Sequence, residues 1–419
     1  MITELRVQNF KSWQDTDDLQ FAPLTGLFGA NNSGKTSILQ VLLMLKQTVD
    51  QPSDWNEPLY FGDEKSLVNL GSYDDVIYQH NKDLGLNIAV SWKLPEKVTI
   101  INEYEFDTLS LDLNLSQKGI DSFSYQAGGQ FFEVEPFLFG EGYEVTTPQS
   151  KDPVESLFRC YGIRTPSLTP QRSFSCFQDT FENLFTRTRY LGPLREPLPH
   201  RYIWEGDHPK GVGRYGEQAM SAMLSGRVRR FPIDEQIPKW LQRLNLIDSY
   251  RLDPISDTAQ DYEFLVQQYK GGPEVRLTDV GFGVSQVLPV LILCYSAPEG
   301  SILILEQPEA HLHPSAQSEL ADVLIDGVKN RNIQIILESH SEHLLLRLMR
   351  RIAEEEEPIS ADDTALYFCQ IKNGTSTIEQ LNLDKYGNIS NWPQDFFGDS
   401  TGELIKKTKA EMKQRKVME

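Results

Sequence analysis

Residues Gly29-Ala30-Asn31-Asn32-Ser33-Gly34-Lys35-Thr36 satisfy the pattern G-x-x-x-x-G-K-[ST] at every fixed position. Upstream, Leu24-Thr25-Gly26-Leu27-Phe28 is a short apolar run that reads as a buried strand. Downstream, Ser37-Ile38-Leu39-Gln40-Val41-Leu42-Leu43-Met44-Leu45 reads as a helix. A loop between such a strand and helix points free backbone N–H groups and the positive end of the helix dipole at one spot, which suits phosphate. Asn31, Asn32, Ser33, Gly34, Lys35, Thr36 and Ser37 are therefore the candidate phosphate contacts. Lys35 is expected to reach the β and γ oxygens, and the Thr36 hydroxyl to ligate magnesium, so the expected cofactors are ATP and Mg2+.

A second apolar run, Ser301-Ile302-Leu303-Ile304-Leu305, ends in Glu306-Gln307-Pro308-Glu309-Ala310-His311-Leu312-His313-Pro314. A continuous apolar run suits a strand covered on both faces, and open α/β sheets bind ligands at the C-terminal ends of such strands. Glu306 is thus placed to hold magnesium, directly or through water. A third segment, Ile333-Gln334-Ile335-Ile336-Leu337-Glu338-Ser339-His340-Ser341, repeats the logic and delivers His340 toward the γ-phosphate.

The 419 residues exceed what one core usually organises, so a second subdomain is expected. The fold class is α/β, a nucleotide-binding head split by a large α+β insertion. Residues 1–48 form its first part and 251–383 its second. Residues 49–250 form an insertion with antiparallel strands such as Leu86-Asn87-Ile88-Ala89-Val90-Ser91-Trp92 and Leu109-Ser110-Leu111-Asp112-Leu113-Asn114-Leu115. The aromatic residues there read as core or interface rather than a base-stacking platform, and no heptad repeat is present. Residues 384–419 are expected to form a C-terminal tail, either a partner-docking segment or a frayed end.

A net charge of -20 argues against indiscriminate binding to nucleic acid or anionic membranes. Local clusters remain at Arg227, Arg229 and Arg230, and in the tail at Lys406, Lys407, Lys409, Lys413, Arg415 and Lys416. The run Glu354-Glu355-Glu356-Glu357-Pro358 reads as a solvated turn. Cys160, Cys176, Cys294 and Cys369 lack metal-site spacing, which suits a reduced, cytoplasmic protein. No apolar run approaches the ~20 residues of a membrane span.

These three segments, together with Val7-Gln8-Asn9-Phe10-Lys11-Ser12, Tyr190-Leu191-Gly192-Pro193-Leu194-Arg195 and Asp279-Val280-Gly281-Phe282-Gly283-Val284-Ser285-Gln286, resemble the ABC-type ATPases of the RecF, SMC and OLD group. The similarity is closest to the OLD-like ATPases of bacterial defence systems. It implies ATP sandwiched between two heads, each giving its phosphate loop to one nucleotide and its signature helix to the other. Lys11 and Ser12 would approach the nucleotide, residues 281–286 would begin the signature helix, residues 310–313 would pack across the dimer, and His340 would be the switch histidine. Arg195 suits a buried ion pair or a phosphate contact.

Two departures from the family pattern stand out. With Gln286 aligned on the last residue of Leu-Ser-Gly-Gly-Gln, Gly283 stands where the serine belongs and Ser285 two positions late, so Gly283, Ser285 and Gln286 are all candidate contacts. Where the pattern has Asp-Glu-Pro, this chain has Glu306-Gln307-Pro308. An amide can orient water but cannot take a proton as a carboxylate does, so hydrolysis is expected to be slow, with Glu309 as a substitute base or a cap. A zinc site built from Glu309, His311 and His313, or from His340 and His343, is the weaker alternative.

OLD proteins often carry a TOPRIM nuclease after the ATPase. Asp384, Asp395 and Asp399 lack its spacing, so the expected effector is a separate nuclease or toxin. The resulting expectation is a homo-oligomeric sensor or scaffold in anti-phage defence. The alternatives are a RecF-like DNA-maintenance ATPase and a nucleotide-bound structural oligomer.

Overall fold

The strands Ile302–Glu306, Gln334–Glu338 and Leu24–Gly29 are buried at every position, as their unbroken apolar runs require. In the computed structural model they form the centre of a six-stranded sheet, ordered Thr188–Leu191, Ile302–Glu306, Gln334–Glu338, Leu24–Gly29, Thr364–Lys372, Thr375–Gln380. All neighbours are parallel except the last pair. Successive side chains point to opposite faces: Ile302 and Ile304 join one core, Leu303 and Leu305 the other. The structure describes residues 1–52, 54–55, 57–100, 104–137, 141–199, 201–255, 260–354, 359–393, 396 and 407.

The N-terminal strand Ile2–Phe10 does not enter that sheet. It pairs with Leu86–Ile100 and so heads a nine-stranded antiparallel sheet that continues through the strands after it to Lys151–Val154. The register Leu86↔Leu115, Ile88↔Leu113, Val90↔Leu111 puts every second residue of both strands on one buried face. The helix Leu168–Thr186 covers that face with Phe174, Phe177, Phe181 and Phe185, spaced for one helical side and fully buried. Phe177 meets Tyr125 and Phe132 at centroid distances of 4.8 and 4.9 Å. These aromatic residues are core. Thr188–Leu191 then becomes the edge strand of the parallel sheet, so residues 49–250 feed both sheets.

Two polar clamps tie distant segments together, the first between the two sheets. The Gln334 amide accepts from the Ile2 N–H at 2.8 Å and donates to the Ile2 carbonyl at 2.7 Å and the Ala22 carbonyl at 3.1 Å. Arg159 donates to the carbonyls of Thr48, Val49, Gln51 and Pro52 at 2.7–3.1 Å, satisfying the end of the helix Lys35–Val49. We predict that Arg159→Ala lowers unfolding free energy by about 3 kcal/mol, because buried carbonyls lose charged donors. Urea denaturation followed by tryptophan fluorescence measures this.

A smaller antiparallel sheet contains Arg201–Ile203, Ser249–Pro254, Asp261–Gln267 and Glu274–Arg276. Beyond the last strand of the parallel sheet, Phe396 packs on Phe368 and Phe28 with centroids 4.8 and 6.2 Å away. This part of the expected docking tail thus lies behind the phosphate-loop strand. Residues Glu355, Glu356, Glu357, Pro358, Asp395, Phe397, Asp399, Lys406, Lys409, Lys413, Arg415 and Lys416 lie outside the described residues. No helix among the described residues is long and apolar enough to cross a membrane.

Candidate functional site

The phosphate loop is shaped by close packing at its two glycines. Gly29 has φ +135°, and a Cβ there would come within 2.1 Å of the Cys369 carbonyl on the neighbouring strand. Gly34 has φ +93°, and a Cβ would lie 2.5 Å from Ser376 Oγ and 2.8 Å from Trp13 Nε1. The fully buried Trp13 donates its indole N–H to the Gly34 carbonyl at 3.0 Å. Ser376 donates its backbone N–H to the Ser12 carbonyl at 2.8 Å and its hydroxyl to Ser12 Oγ at 2.7 Å. Trp13 and Ser376 thus brace the loop from behind.

In front of the loop lies an open groove of about 530 Å³. Residues 31–37 form one wall, Lys11, Ser12 and Gln40 a second, and Gln307, Glu338 and His340 the third. Lys11 donates to Gln40 Oε1 at 2.5 Å. The buried Lys35 ammonium reaches the carbonyls of Gly29 at 3.1 Å and Ala30 at 2.7 Å, and stands 3.9 Å from Glu338 Oε1. Burial lowers its pKa, while the Glu338 charge opposes the shift.

Glu306 and Glu338 are register partners on adjacent parallel strands. Glu338 Oε2 accepts from the Thr36 hydroxyl at 2.7 Å, whereas Glu306 Oε1 accepts from the Tyr190 hydroxyl at 2.8 Å and does not line the groove. Burial pushes the Glu306 carboxyl up to about 7, the Glu338 charge adds to this, and the Tyr190 bond opposes it. The hard oxygen donors of Thr36 and Glu338, beside the Lys35 ammonium, suit magnesium carried on a triphosphate. Glu306 stands behind them as an outer carboxylate. The sequence reading chose Glu306 from the pair. Glu338 had an equal signal, a carboxylate ending a buried strand.

Gln307 follows in the left-handed region, φ 45°, with its N–H donating to the Glu338 carbonyl at 2.8 Å, and its residue lines the groove. Glu309 turns inward instead. Its Oε1 accepts from Ser339 Oγ at 2.7 Å and from the His340 N–H at 2.8 Å, and burial raises its pKa. The half-buried His340 ring sets Nε2 3.9 Å from Glu338 Oε1; burial and the Lys35 charge lower its pKa, and the nearby Gly29 backbone opposes this. His311 meets the exposed Phe282 ring edge-on at 5.4 Å, and His313 caps the helix Pro314–Arg331 through the Ser315 N–H.

Gly283, Ser285 and Gln286 lie in the first turns of the helix Phe282–Ser296, whose N-cap is Gly281, and none of them lines the groove. The chain therefore brings Lys11 and residues 31–37 together with Gln307, Glu338 and His340, and leaves the part-exposed Gly283 and Ser285 and the buried Gln286 outside that groove. Arg195 is buried and donates to backbone carbonyls on both the signature helix and the Glu306 strand; it does not line the groove.

The Glu306 shift has a measurable sign. Because the folded carboxyl titrates near 7 and an unfolded one near 4.5, the folded state binds the extra proton between those values, and stability falls as pH rises through that window. Glu306→Gln is expected to remove this slope. Scanning calorimetry in EDTA should find the variant more stable than the parent at pH 8, by at most about 3 kcal/mol, and level with it at pH 4.5.

The chain is 24% identical over 360 residues to "OLD nuclease" of Thermus scotoductus, a match covering 81% of this chain and 59% of that protein. The chain thus spans about three fifths of that relative's length. Among solved structures it is similar to an Smc head bound to the C-winged helix domain of ScpA, with TM-score 0.47, 14% identity, and coverage of 92% of this chain and 98% of that one. It is also similar to the SMC head domain from Thermotoga maritima, with TM-score 0.43, 11% identity, and coverage of 91% and 99%. Residues 359–406 match "Protein of unknown function (DUF3696)". The family model described as "AAA domain, putative AbiEii toxin, Type IV TA system" matches residues 24–347, from the strand before the phosphate loop into the helix after His340, and the chain belongs to that family of ABC-type P-loop ATPases, AAA_21.

Proposed function

We propose that this ATPase is a slow, ATP-gated scaffold: two copies close on ATP and Mg2+, and the closed pair holds or releases a separate effector, a nuclease or toxin, in anti-phage defence. One observation carries the slow turnover. Among the described residues, Glu338 is the only carboxylate lining the groove, and it is engaged by Thr36. Glu306 and Glu309, on either side of Gln307, are both turned away from the groove. An amide thus stands where a general base would act, and a base typically contributes about 10²–10⁴ in rate.

Closure by two copies is supported by the placement of Gly283, Ser285 and Gln286 outside the chain's own groove, beside an exposed Phe282. A helix start with free N–H groups can complete the phosphate shell of a second copy. The defence role is supported by the toxin–antitoxin wording of the family description and by the likeness to an OLD nuclease. Net charge of -20 weighs against duplex DNA as the main ligand, and Arg227 is engaged by Asp234 at 2.6 Å.

The test is co-expression with the neighbouring gene. Copurification of its product, stabilised by ATP and Mg2+, is the expected result. A lone chain whose ATPase rises on adding duplex DNA, with steep salt dependence, would point to DNA maintenance instead.

A further inference from the structure

Arg195 is a buried cation without a carboxylate in ion-pair contact among the described residues. Its guanidinium spends its donors on backbone carbonyls from two separate elements. Nη1 donates to the Gln286 carbonyl in the signature helix at 3.0 Å and lies 3.5 Å from the Pro308 carbonyl. Nη2 donates to the Gln307 carbonyl at 3.1 Å and lies 3.4 Å from that of Glu306. The planar fork therefore fixes the signature helix to the peptide that carries Gln307. Keeping a guanidinium in such a place is costly, and burial lowers its pKa to about 10. A plain apolar contact between helix and strand would hold the fold at less cost.

The connection continues past Arg195. Among the described residues the charge that acts on Arg195 is that of Glu309, and the attraction is felt by both groups. Glu309 Oε1 takes the Ser339 hydroxyl and the His340 N–H, and Ser339 Oγ in turn accepts from the Ser341 N–H at 3.0 Å. The second oxygen of Glu309 is buried without a hydrogen-bond partner, as are Arg195 Nε and the amide nitrogen of Gln286. Such unsatisfied atoms in one buried cluster mean that its present arrangement leaves hydrogen bonds unmade, which a small shift of the helix can change. None of the three residues lines the nucleotide groove.

We propose that Arg195 and Glu309 are positioning residues that couple the signature helix of a head to Gln307 and His340 in the same head. This rests on the two-copy reading above. In that arrangement a signature helix touches the ATP of the other copy, while Gln307 and His340 face the head's own ATP. Movement of the helix onto the partner's nucleotide displaces the Gln286 carbonyl, Arg195 carries the displacement to the Gln307 peptide, and Glu309 carries it to the His340 backbone. Each ATP site thereby senses whether the other is filled, and hydrolysis becomes cooperative in ATP.

The experiment uses the full chain with ATP and Mg2+, and measures ATP affinity, kcat, Hill coefficient and native mass for the parent, Arg195→Lys, Ser339→Ala and the double variant. Lysine keeps the charge facing Glu309, but one ammonium cannot span both carbonyls. Ser339→Ala breaks the far link without touching the clasp, and remains informative if Arg195→Lys does not fold. The expected result is a parent Hill coefficient above 1 that falls to about 1 in each single variant, with kcat about tenfold lower, ATP affinity within about twofold, and a double variant no worse than either single one. A merely structural role would lower melting temperature and active fraction while leaving the Hill coefficient as in the parent. Variants with parental Hill coefficient and kcat, or a parent that doubles its mass on ATP yet is non-cooperative, would overturn the coupling alone. A parent that stays monomeric in saturating ATP would overturn the two-copy reading and the coupling with it.

Discussion

Glu338→Gln is expected to lower kcat for ATP hydrolysis by about 10²–10³, the largest loss of any single conservative change in the groove. The argument is one of position and charge. Glu338 supplies the carboxylate oxygen nearest the Thr36 hydroxyl and faces the Lys35 ammonium at 3.9 Å. Its register partner Glu306 shares a proton-binding range with neutral pH and spends its oxygen on Tyr190. The carboxylate that lines the groove is therefore that of Glu338. Glutamine keeps the volume and can still accept from Thr36, so folding and nucleotide-free stability should survive while magnesium affinity in the presence of ATP falls. Steady-state rates across a magnesium titration decide the matter. A variant within about threefold of the parent at every magnesium concentration would remove Glu338 from the machinery.

Gln307→Glu is expected to act in the opposite direction and raise kcat by about 10², because it places a proton acceptor where only an amide now stands. The gain should depend on pH. Glu306, raised to about 7 by burial and by Glu338, is adjacent in sequence, and a further carboxylate among them will also titrate high. The ratio of variant to parent rate should thus be small at pH 6 and grow toward pH 9. A single-turnover assay over that range measures the chemical step without product release. A ratio that stays at one throughout would mean that turnover is limited by opening of the assembly, not by the missing base.

The parts of this site that were legible in the sequence are those in which chemistry and local structure coincide. A glycine pattern followed by Lys35-Thr36 names its own strand, loop and helix, and the structure explains both glycines by backbone approaches of Cys369 and by Trp13. The unbroken apolar runs before Glu306 and Glu338 identified strands covered on two faces, and the alternation of Leu86 to Leu115 identified the antiparallel pair.

What was not legible depends on strand order. Glu338 meets Thr36 across 302 residues of chain because its strand lies between those of Glu306 and the phosphate loop, and no local pattern states that order. Trp13 braces the loop from 21 residues away in the chain, whereas Ser376 reaches Ser12 across 364. The N-terminal strand Ile2–Phe10 carries an alternating pattern that suits either sheet. Only pairing with Leu86–Ile100 and the Gln334 clamp fix where it belongs. Arg195 suits a buried ion pair or a phosphate contact in the sequence, but its partners are carbonyls from two elements that meet only in the fold.

The claim on which the rest depends is that ATP joins two copies of this chain. Native mass spectrometry of the purified protein, with and without ATP and Mg2+, tests it directly, with Lys35→Ala as the control that cannot hold the triphosphate. A mass that doubles with ATP and Mg2+ in the parent and stays single in Lys35→Ala is the predicted result. A parent that binds ATP yet remains a single chain, or pairs equally well without nucleotide, would contradict the account.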